Sequence, residues 1–404
     1  MNKPELLSPA GDIERLQFAV RYGADAVYLG ADRFGMRAAP KNFTMEQLHE
    51  GVQFAHAAGK RVYLTLNSVP TNEEIATLPD FIRQVRETGI DAFIVADLGV
   101  LSIVKKFAPE IDVHFSTQVG IVNFVAANAA YDMGAKRVVL ARELSLQDIA
   151  VIRENTPREL ELEAFVHGAM CMSFSGRCLL SHYLTGRDAN RGECTQPCRW
   201  EWQMTEPYRP NAPLTIGEEE GGSYILNAND LCTAPFIDLV AKAGIDSLKI
   251  EGRAKSFYYV ASVTAAYRSA LDAYLAQGEQ FSCPEFALDE LTRTSHRKYS
   301  PGFFFGKEDA VQNTKQGGYL REWEVVGVVQ DYMDGFITCE QRGKFVLGDM
   351  LEALTPDGKC FSFTPDLILD EMGESIPSVP HAKMIYRVPC PHVLAPYSIL
   401  RKKL

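Results

Sequence analysis

The sequence predicts an α/β protein: a TIM-like (β/α)8 barrel with a cysteine-bearing insertion before its last strand, followed by a small C-terminal β-barrel domain. The first observation is a recurring unit in which an amphipathic helix, a glycine and a short strand follow one another. The second is that these strands are continuous apolar runs, as in parallel sheets covered on both faces. The third is their number, because eight such strands precede residue 255, which suits this barrel.

The repeated unit defines each element in turn, at residues 15–30, 54–67, 81–97, 126–143 and 236–252. In each copy a glycine stands where a helix needs a left-handed C-terminal cap: Gly23, Gly59, Gly89, Gly134 and Gly244. The eight predicted strands lie at residues 5–10, 26–30, 62–67, 92–97, 112–118, 138–142, 160–168 and 247–252. An open doubly wound sheet is the alternative, but no G-x-G-x-x-G follows the first strand.

The pattern of apolar and turn residues changes along the chain, and these changes predict the domain organisation. We expect a barrel domain over residues 1–280, with the cysteine-rich insertion at 169–235. Insertions of this length usually carry function. Residues 281–319 read as a linker that wraps between domains. Residues 320–404 contain short alternating strands separated by Gly, Pro or Asp turns, which predicts a small antiparallel β-barrel.

Charge and hydropathy narrow the function classes. The chain has 41 Lys plus Arg against 52 Asp plus Glu, a formal charge of −11. A general nucleic-acid binder needs a basic surface, so any RNA must be met by a local basic patch. The sequence contains no run of 18 apolar residues, so it predicts no membrane-spanning helix. The first residues also lack the apolar stretch of a signal peptide. We therefore expect a cytoplasmic protein with reduced cysteines.

Four clustered cysteines are the main chemical signal. Cys171, Cys178, Cys194 and Cys198 are spaced C-x6-C-x15-C-x3-C. Thiolates suit zinc or iron–sulfur clusters. Zinc sites favour two pairs, each separated by two to four residues, and only the second pair fits that rule. An iron–sulfur cluster tolerates uneven spacing better, yet a cluster, a zinc ion and merely buried or reactive thiols all remain open from these residues alone.

Polar residues at the ends of the predicted strands should face one common mouth of the barrel. The candidates for catalysis are His167, Glu163, Arg142 and Glu251. The candidates for substrate binding are Asn67, Asp97, Gln118, Lys249, Arg253 and Lys255. Arginine and lysine suit phosphates or carboxylates, and His167 suits proton transfer. The alternative for each is a structural hydrogen bond or an ion pair.

Several segments resemble the collagenase-like peptidase family U32. They are P-E-L-L-S-P-A-G (4–11), G-A-D-A-V-Y-L-G (23–30), the first cysteine segment (163–181), C-T-Q-P-C-R-W (194–200) and S-L-K-I-E-G-R (247–253). The resemblance covers residues 4–270 and continues more loosely through the C-terminal part. The family label implies a hydrolase or protease, but the chain has neither H-E-x-x-H nor G-x-S-x-G.

The resemblance is strongest to a branch of this family that is implicated in tRNA hydroxylation. It implies that Cys171, Cys178, Cys194 and Cys198 bind a 4Fe–4S cluster. It also implies an enzyme that converts the wobble uridine of a tRNA anticodon stem-loop to 5-hydroxyuridine without oxygen, with prephenate as a possible co-substrate. A redox or paralogous protein partner is possible in this reading. The alternatives are a peptidase of unknown catalytic type and a non-catalytic subunit that holds a cluster.

Overall fold

The computed structural model describes residues 3–35, 42–171, 173–174, 178–200, 229–306 and 319–404. Eight parallel strands form a closed barrel, because the last of them pairs with both the first and the seventh. The barrel strands are β1 (Glu5–Pro9), β2 (Ala26–Leu29), β3 (Arg61–Leu66), β4 (Ala92–Val95), β5 (Asp112–Phe115), β6 (Arg137–Val139), β7 (Glu161–Ala169) and β9 (Ser247–Ile250), while β8 (Asp230–Cys232) lies outside the closed ring. The predicted TIM-like fold is confirmed.

Helices surround the barrel, and seven of the ten in the described residues begin at a residue whose side chain accepts a hydrogen bond from the first turn. They are α1 (Ile13–Arg21), α2 (Met45–Ala57), α3 (Asn72–Arg86), α4 (Leu98–Phe107), α5 (Phe124–Asp132), α6 (Leu146–Glu154), α7 (Leu180–Thr185), α8 (Ile237–Lys242), α9 (Phe257–Gln277) and α10 (Glu285–Arg293). Thr71 and Glu74 form a reciprocal capping box at the start of α3. Across the ranges described, no helix combines the length and the apolar character needed to span a membrane.

The insertion leaves the barrel along β7 and returns beside it. β8 runs antiparallel to β7, with Ala169 opposite Asp230 and His167 opposite Cys232. A short strand, β10 (Tyr299–Ser300), then pairs with β8 on its other side. Within the insertion, the Arg191 guanidinium binds the Glu74 carboxylate at 2.6 Å. This ion pair joins the cysteine segment to the first turn of α3.

The C-terminal region is antiparallel, as predicted. Its strands are β11 (Trp323–Met333), β12 (Phe336–Gln341), β13 (Phe345–Val346), β14 (Leu351–Leu354), β15 (Cys360–Phe363), β16 (Ser378–Val379), β17 (Ile385–Pro389) and β18 (Ile399–Lys403). Six of them form one sheet in the order β15-β14-β18-β11-β12-β17, and β13 pairs with β16. A separate apolar core, which includes Val326, Ile337, Tyr386 and Leu400, fills this region.

The C-terminal region packs on the outer helices of the barrel. Tyr22 of α1 donates a hydrogen bond to the Leu354 carbonyl at 3.0 Å, and Phe18 joins the same apolar cluster as Ile399. The segment predicted as a linker, 281–319, contains helix α10, which packs against α9. Residues 307–318 of that segment lie outside the described residues. The part of the predicted linker that precedes them is therefore built into the barrel domain.

Candidate functional site at the barrel mouth

A cavity of about 510 Å³ opens at the carboxyl ends of the barrel strands. Its walls come from two sources. Strand-end residues such as Asn67, Gln118 and Glu251 form one part, and the cysteine segment, including Leu180 and Pro197, forms the other. The carboxyl ends of the strands are where barrels of this kind carry their active sites. The fold therefore brings the insertion over the position where chemistry is expected.

Three cationic side chains line the cavity: Arg142, Lys249 and Arg253. The Arg142 guanidinium donates to the Ala169 carbonyl at 2.7 Å and lies 3.8 Å from the centre of the Phe165 ring. Burial lowers the pKa of Arg142, and the Glu251 carboxylate opposes that shift. Because arginine stays protonated even so, this side chain presents a fixed positive charge. Arg253 is held by a 2.7 Å hydrogen bond from its guanidinium to the Thr65 hydroxyl.

Lys249 is anchored from below by a buried carboxylate. Its ammonium lies 2.7 Å from Glu163, which is fully buried. Burial opposes the charge on Glu163, but Lys249 and Arg137 together bring the pKa of that carboxyl below its usual value. Burial likewise lowers the pKa of the Lys249 ammonium, and Glu163 counteracts the shift. The pair therefore holds a cation in place at the cavity with little freedom to move.

The buried charges continue from Glu163 through the barrel interior. Arg137 lies 2.9 Å from Glu163 and 2.7 Å from Glu5. The Ser247 hydroxyl donates to both carboxylates at 3.1 Å. We call Glu5, Arg137, Glu163 and Lys249 the barrel network. It replaces part of the apolar filling that such barrels normally have.

Two amides face the cavity in fixed orientations. The Asn67 side chain donates to the Gln118 side-chain carbonyl at 2.8 Å, and the Gln118 amide donates to the Asn67 backbone carbonyl at 3.0 Å. The Ser116 hydroxyl also donates to Gln118 at 2.9 Å. Amide and hydroxyl groups offer both donors and acceptors, so this wall can bind the polar edge of a small molecule or a base.

All four predicted ligand cysteines line this one cavity, and none of them forms a disulfide. The Leu180 N–H donates to the Cys178 sulfur at 3.3 Å, and the Gln196 N–H donates to the Cys194 sulfur at 3.4 Å. Backbone N–H groups of this kind stabilise thiolates that bind iron. In the described part of the chain, no three His, Cys, Asp or Glu side chains come close enough to hold one metal ion.

His167 lies away from the cavity, although the strand-end pattern predicts it at the mouth. A register shift between Phe165 and His167, where β7 pairs with β9, breaks the alternation of side chains. The His167 ring is therefore buried against Tyr267, with Nδ1 3.3 Å from the Tyr267 hydroxyl. Burial lowers the pKa of His167 to about 3, so the ring is neutral near pH 7. A buried neutral ring in this position is unsuited to proton transfer in the cavity.

Three more candidates lie outside the cavity wall. Asp97 caps helix α4, because its side chain accepts the Val100 N–H at 3.0 Å. The Lys255 ammonium lies 4.5 Å from the Tyr319 ring centre and 5.3 Å from that of Tyr259. Glu163 acts beneath the cavity, through Lys249. The cavity thus brings together Asn67, Gln118, Arg142, Lys249, Glu251, Arg253 and the four cysteines.

Sequence reasoning missed the aromatic part of the wall. Tyr28 and Phe165 line the cavity, and the Lys249 ammonium lies 4.6 Å and 5.4 Å from their ring centres. The Tyr28 hydroxyl donates to the Ile250 carbonyl at 2.9 Å, which fixes the ring. A search limited to polar strand ends passes over both residues. The signal that could have found them is the alternation of side chains along a strand. Tyr28 lies two residues after Ala26 and Phe165 two residues after Glu163, so each is on the inward face.

This combination of a closed (β/α)8 barrel and a cavity at its mouth that is lined by thiols and cations defines a site suited to a polar or anionic substrate. Comparison with known families identifies the chain more closely. Residues 11–314 match the model of peptidase family U32, and residues 321–401 match the model of the U32 C-terminal domain. The chain belongs to peptidase family U32.

Curated relatives in this family carry names of two kinds. The chain is 37% identical to tRNA hydroxylation protein P1 of Bacillus subtilis, over 99% of this chain and 95% of that protein. It is 34% identical to a 23S rRNA 5-hydroxycytidine synthase of Escherichia coli, over 83% of this chain and 50% of that protein. It is also 31% identical to a protein named collagenase from Porphyromonas gingivalis, over 88% and 87% of the two chains.

Proposed function

We propose that this protein is a tRNA-modifying enzyme that hydroxylates the wobble uridine of a tRNA anticodon loop to 5-hydroxyuridine. The observation that carries the proposal is the cavity itself, in which four cysteines that form no disulfide face fixed cations and amides. Relatives named for tRNA hydroxylation and rRNA hydroxycytidine synthesis, similar across most of this chain, support the choice of an RNA base as substrate.

The cofactor in this proposal is a 4Fe–4S cluster on Cys171, Cys178, Cys194 and Cys198. Two of the four sulfurs already accept backbone N–H bonds, and hydrogen bonds to the sulfurs are a regular feature of iron–sulfur sites. When bound, such a cluster would supply a route for electrons. Because the proposed hydroxylation uses no oxygen, the co-substrate must donate the hydroxyl group and take the hydrogen in exchange, which reduces it by two electrons. The adjacent Arg142 offsets negative charge at this end of the cavity.

The residues of the chain itself hold the two organic reactants. An unpaired base that has left its stack enters the cavity, where the Asn67 and Gln118 amides meet its polar edge. Arg142, Lys249 and Arg253 bind the carboxylates of prephenate, the proposed co-substrate, because guanidinium and ammonium groups pair well with carboxylates. Glu163 keeps the Lys249 ammonium in position.

The test combines RNA analysis with iron analysis. In a strain that lacks the gene and any redundant enzyme, wild-type protein should restore wobble 5-hydroxyuridine, measured by mass spectrometry of tRNA. Cys171→Ser should restore less than a tenth of it and should lower the iron content of protein purified without oxygen. Cys283→Ser is the matched control, because this free cysteine is half-buried and does not line the cavity. Unchanged modification in the deletion strain would overturn the proposal, and full iron in Cys171→Ser would overturn the ligand assignment.

A peptidase is the second candidate, because one relative is named collagenase. The described cavity wall contains cysteines, Ser116 and Ser173 but no histidine, so it lacks the pairing of a nucleophile with a histidine base that many cysteine and serine peptidases use. Incubation of the purified protein with gelatin separates the two functions. Cleavage that persists in the Cys171→Ser variant would favour the peptidase.

A further inference from the structure

The segment that carries the cavity cysteines also carries exposed apolar and aromatic side chains. We call this surface the aromatic rim; its residues are Phe174, Leu179, Tyr183, Leu184 and Trp200. Tyr183 of α7 is 83% exposed, and Leu179, the N-cap of that helix, is 72% exposed; the two are four residues apart, so they lie on one side of the helix. Contiguous exposed apolar surface on a folded protein usually marks a binding site.

The rim is built rigidly onto the cavity. Leu180, next to Leu179, lines the cavity itself. Ser181 is fully buried, and its hydroxyl accepts the Thr195 N–H at 3.0 Å, which ties α7 to the chain between the last two cysteines. The helix therefore cannot turn Tyr183 inward without losing this contact. Tyr183 lies three residues, or about one helical turn, from the cavity-lining Leu180, so a group stacked on Tyr183 would be near a group held in the cavity.

We propose that the aromatic rim stacks the unpaired RNA bases that flank the base bound in the cavity. The inference rests on the proposed function and deepens it. A nucleotide whose base enters the cavity leaves its neighbours at the entrance, and aromatic side chains bind such unstacked bases in single-stranded loops. The exposed guanidinium of Arg187, which follows the last turn of α7, is placed to contact the connecting phosphates.

The charge of the molecule makes this surface important for affinity. With a net charge of −11, the protein as a whole repels the RNA backbone. Among the arginines of residues 178–200 whose side chains the structure describes, Arg191 is already paired with Glu74. Stacking on the rim therefore supplies attraction that phosphate contacts do not. Proteins that make 6–10 phosphate contacts lose roughly 10³–10⁵ in affinity for nucleic acid between 50 and 200 mM salt. The affinity of this protein for RNA should fall less steeply over the same range.

The experiment measures dissociation constants for a wobble-uridine anticodon stem-loop by fluorescence anisotropy, with intact holoprotein. Tyr183→Ala should raise the dissociation constant about 5- to 150-fold, the range for loss of one stacked base. Tyr183→Phe keeps the ring and should bind like wild type. Met133→Ala is the control, because it removes another exposed apolar side chain at the far end of α5. Iron content and circular dichroism should be the same in all four proteins.

The outcomes separate this inference from the function beneath it. If the wild type binds and modifies the stem-loop and Tyr183→Ala binds it equally well, the rim does not contact RNA. A Tyr183→Ala variant that binds RNA normally but loses self-association in light scattering would assign the rim to a protein partner, and would likewise overturn the inference. If the wild type neither binds nor hydroxylates the RNA, the proposed function fails first.

Discussion

The barrel interior and the domain interface each contain buried ion pairs, and the two networks end differently. At the interface, Arg401 is fully buried and binds Glu290 at 2.7 Å and Glu352 at 2.9 Å, while Arg293 pairs with Glu352 at 2.6 Å. We call these four residues the interface network. It closes on itself between α10 and the C-terminal sheet. The barrel network instead ends in Lys249, whose ammonium faces the cavity.

The comparison shows that similar buried charges serve different purposes. In the interface network each charge is satisfied by another protein group, so its role is to fix how the two regions pack. In the barrel network Glu163 is satisfied, but Lys249 still presents one side to the cavity, between the rings of Tyr28 and Phe165. The first network joins two parts of the fold, and the second holds a cation at the cavity wall.

The largest effect on stability is expected from Arg401→Met. This change leaves Glu290 buried without its main partner, and breaking a buried pair in this way costs roughly 3–5 kcal/mol. Urea unfolding should show that loss, while hydroxylation per folded molecule stays at the wild-type level. A loss below about 1 kcal/mol, or a fall in turnover at low temperature where the variant is folded, would contradict the division between the two networks.

A smaller loss of stability but a large loss of activity is expected from Lys249→Met. Glu163 keeps Arg137 and Ser247 as partners, so only one charged hydrogen bond is removed, worth roughly 1.5–3 kcal/mol. The variant should also lose the charged hydrogen bond that the Lys249 ammonium makes to the substrate. Loss of a bond of that strength should lower kcat/KM about 10- to 150-fold. The double variant Glu163→Gln with Lys249→Met should recover stability but not activity. Recovery of both would show that Lys249 is structural only.

The smallest effect is the pH dependence that Glu163 imparts. Its pKa is below the usual value of 4.5 in the folded protein, so its contribution is fully present above that value and is lost as the pH falls through the lower, folded value. Each unit of that difference is worth about 1.4 kcal/mol. The free energy of unfolding should fall less on acidification in Glu163→Gln than in wild type. Glu50→Gln, on an exposed part of α2, is the control and should follow the wild type.

Local sequence was enough to predict the barrel. The five predicted glycines all adopt positive φ, from 68° to 105°, and each precedes a barrel strand. The cavity cysteines and the cations Arg142, Lys249 and Arg253 could also be predicted, because parallel strands all end at one mouth. These features depend on repeats and on strand ends, which are properties of short segments.

The remaining site residues depended on interactions that short segments do not reveal. His167 leaves the inward face because of one irregularity in the pairing of β7 with β9. Asp97 ends its strand but is used as a helix cap. The barrel network is partly readable, since Glu5, Arg137, Glu163 and Lys249 are charged residues within strands that are otherwise apolar. Which of them pair is set by the barrel geometry and not by their spacing in the chain.

The antiparallel return of the chain along β7 has a consequence for how this scaffold can diversify. Because Ala169 and Asp230 are neighbours in the sheet, the insertion between them leaves the barrel and returns to it at the same place. Its extent can change without pulling on the eight strands, since doubling the length of a flexible loop costs only about 0.6 kcal/mol in closure entropy. The barrel can therefore stay unchanged while the insertion varies, and a different insertion can give the same barrel a new specificity.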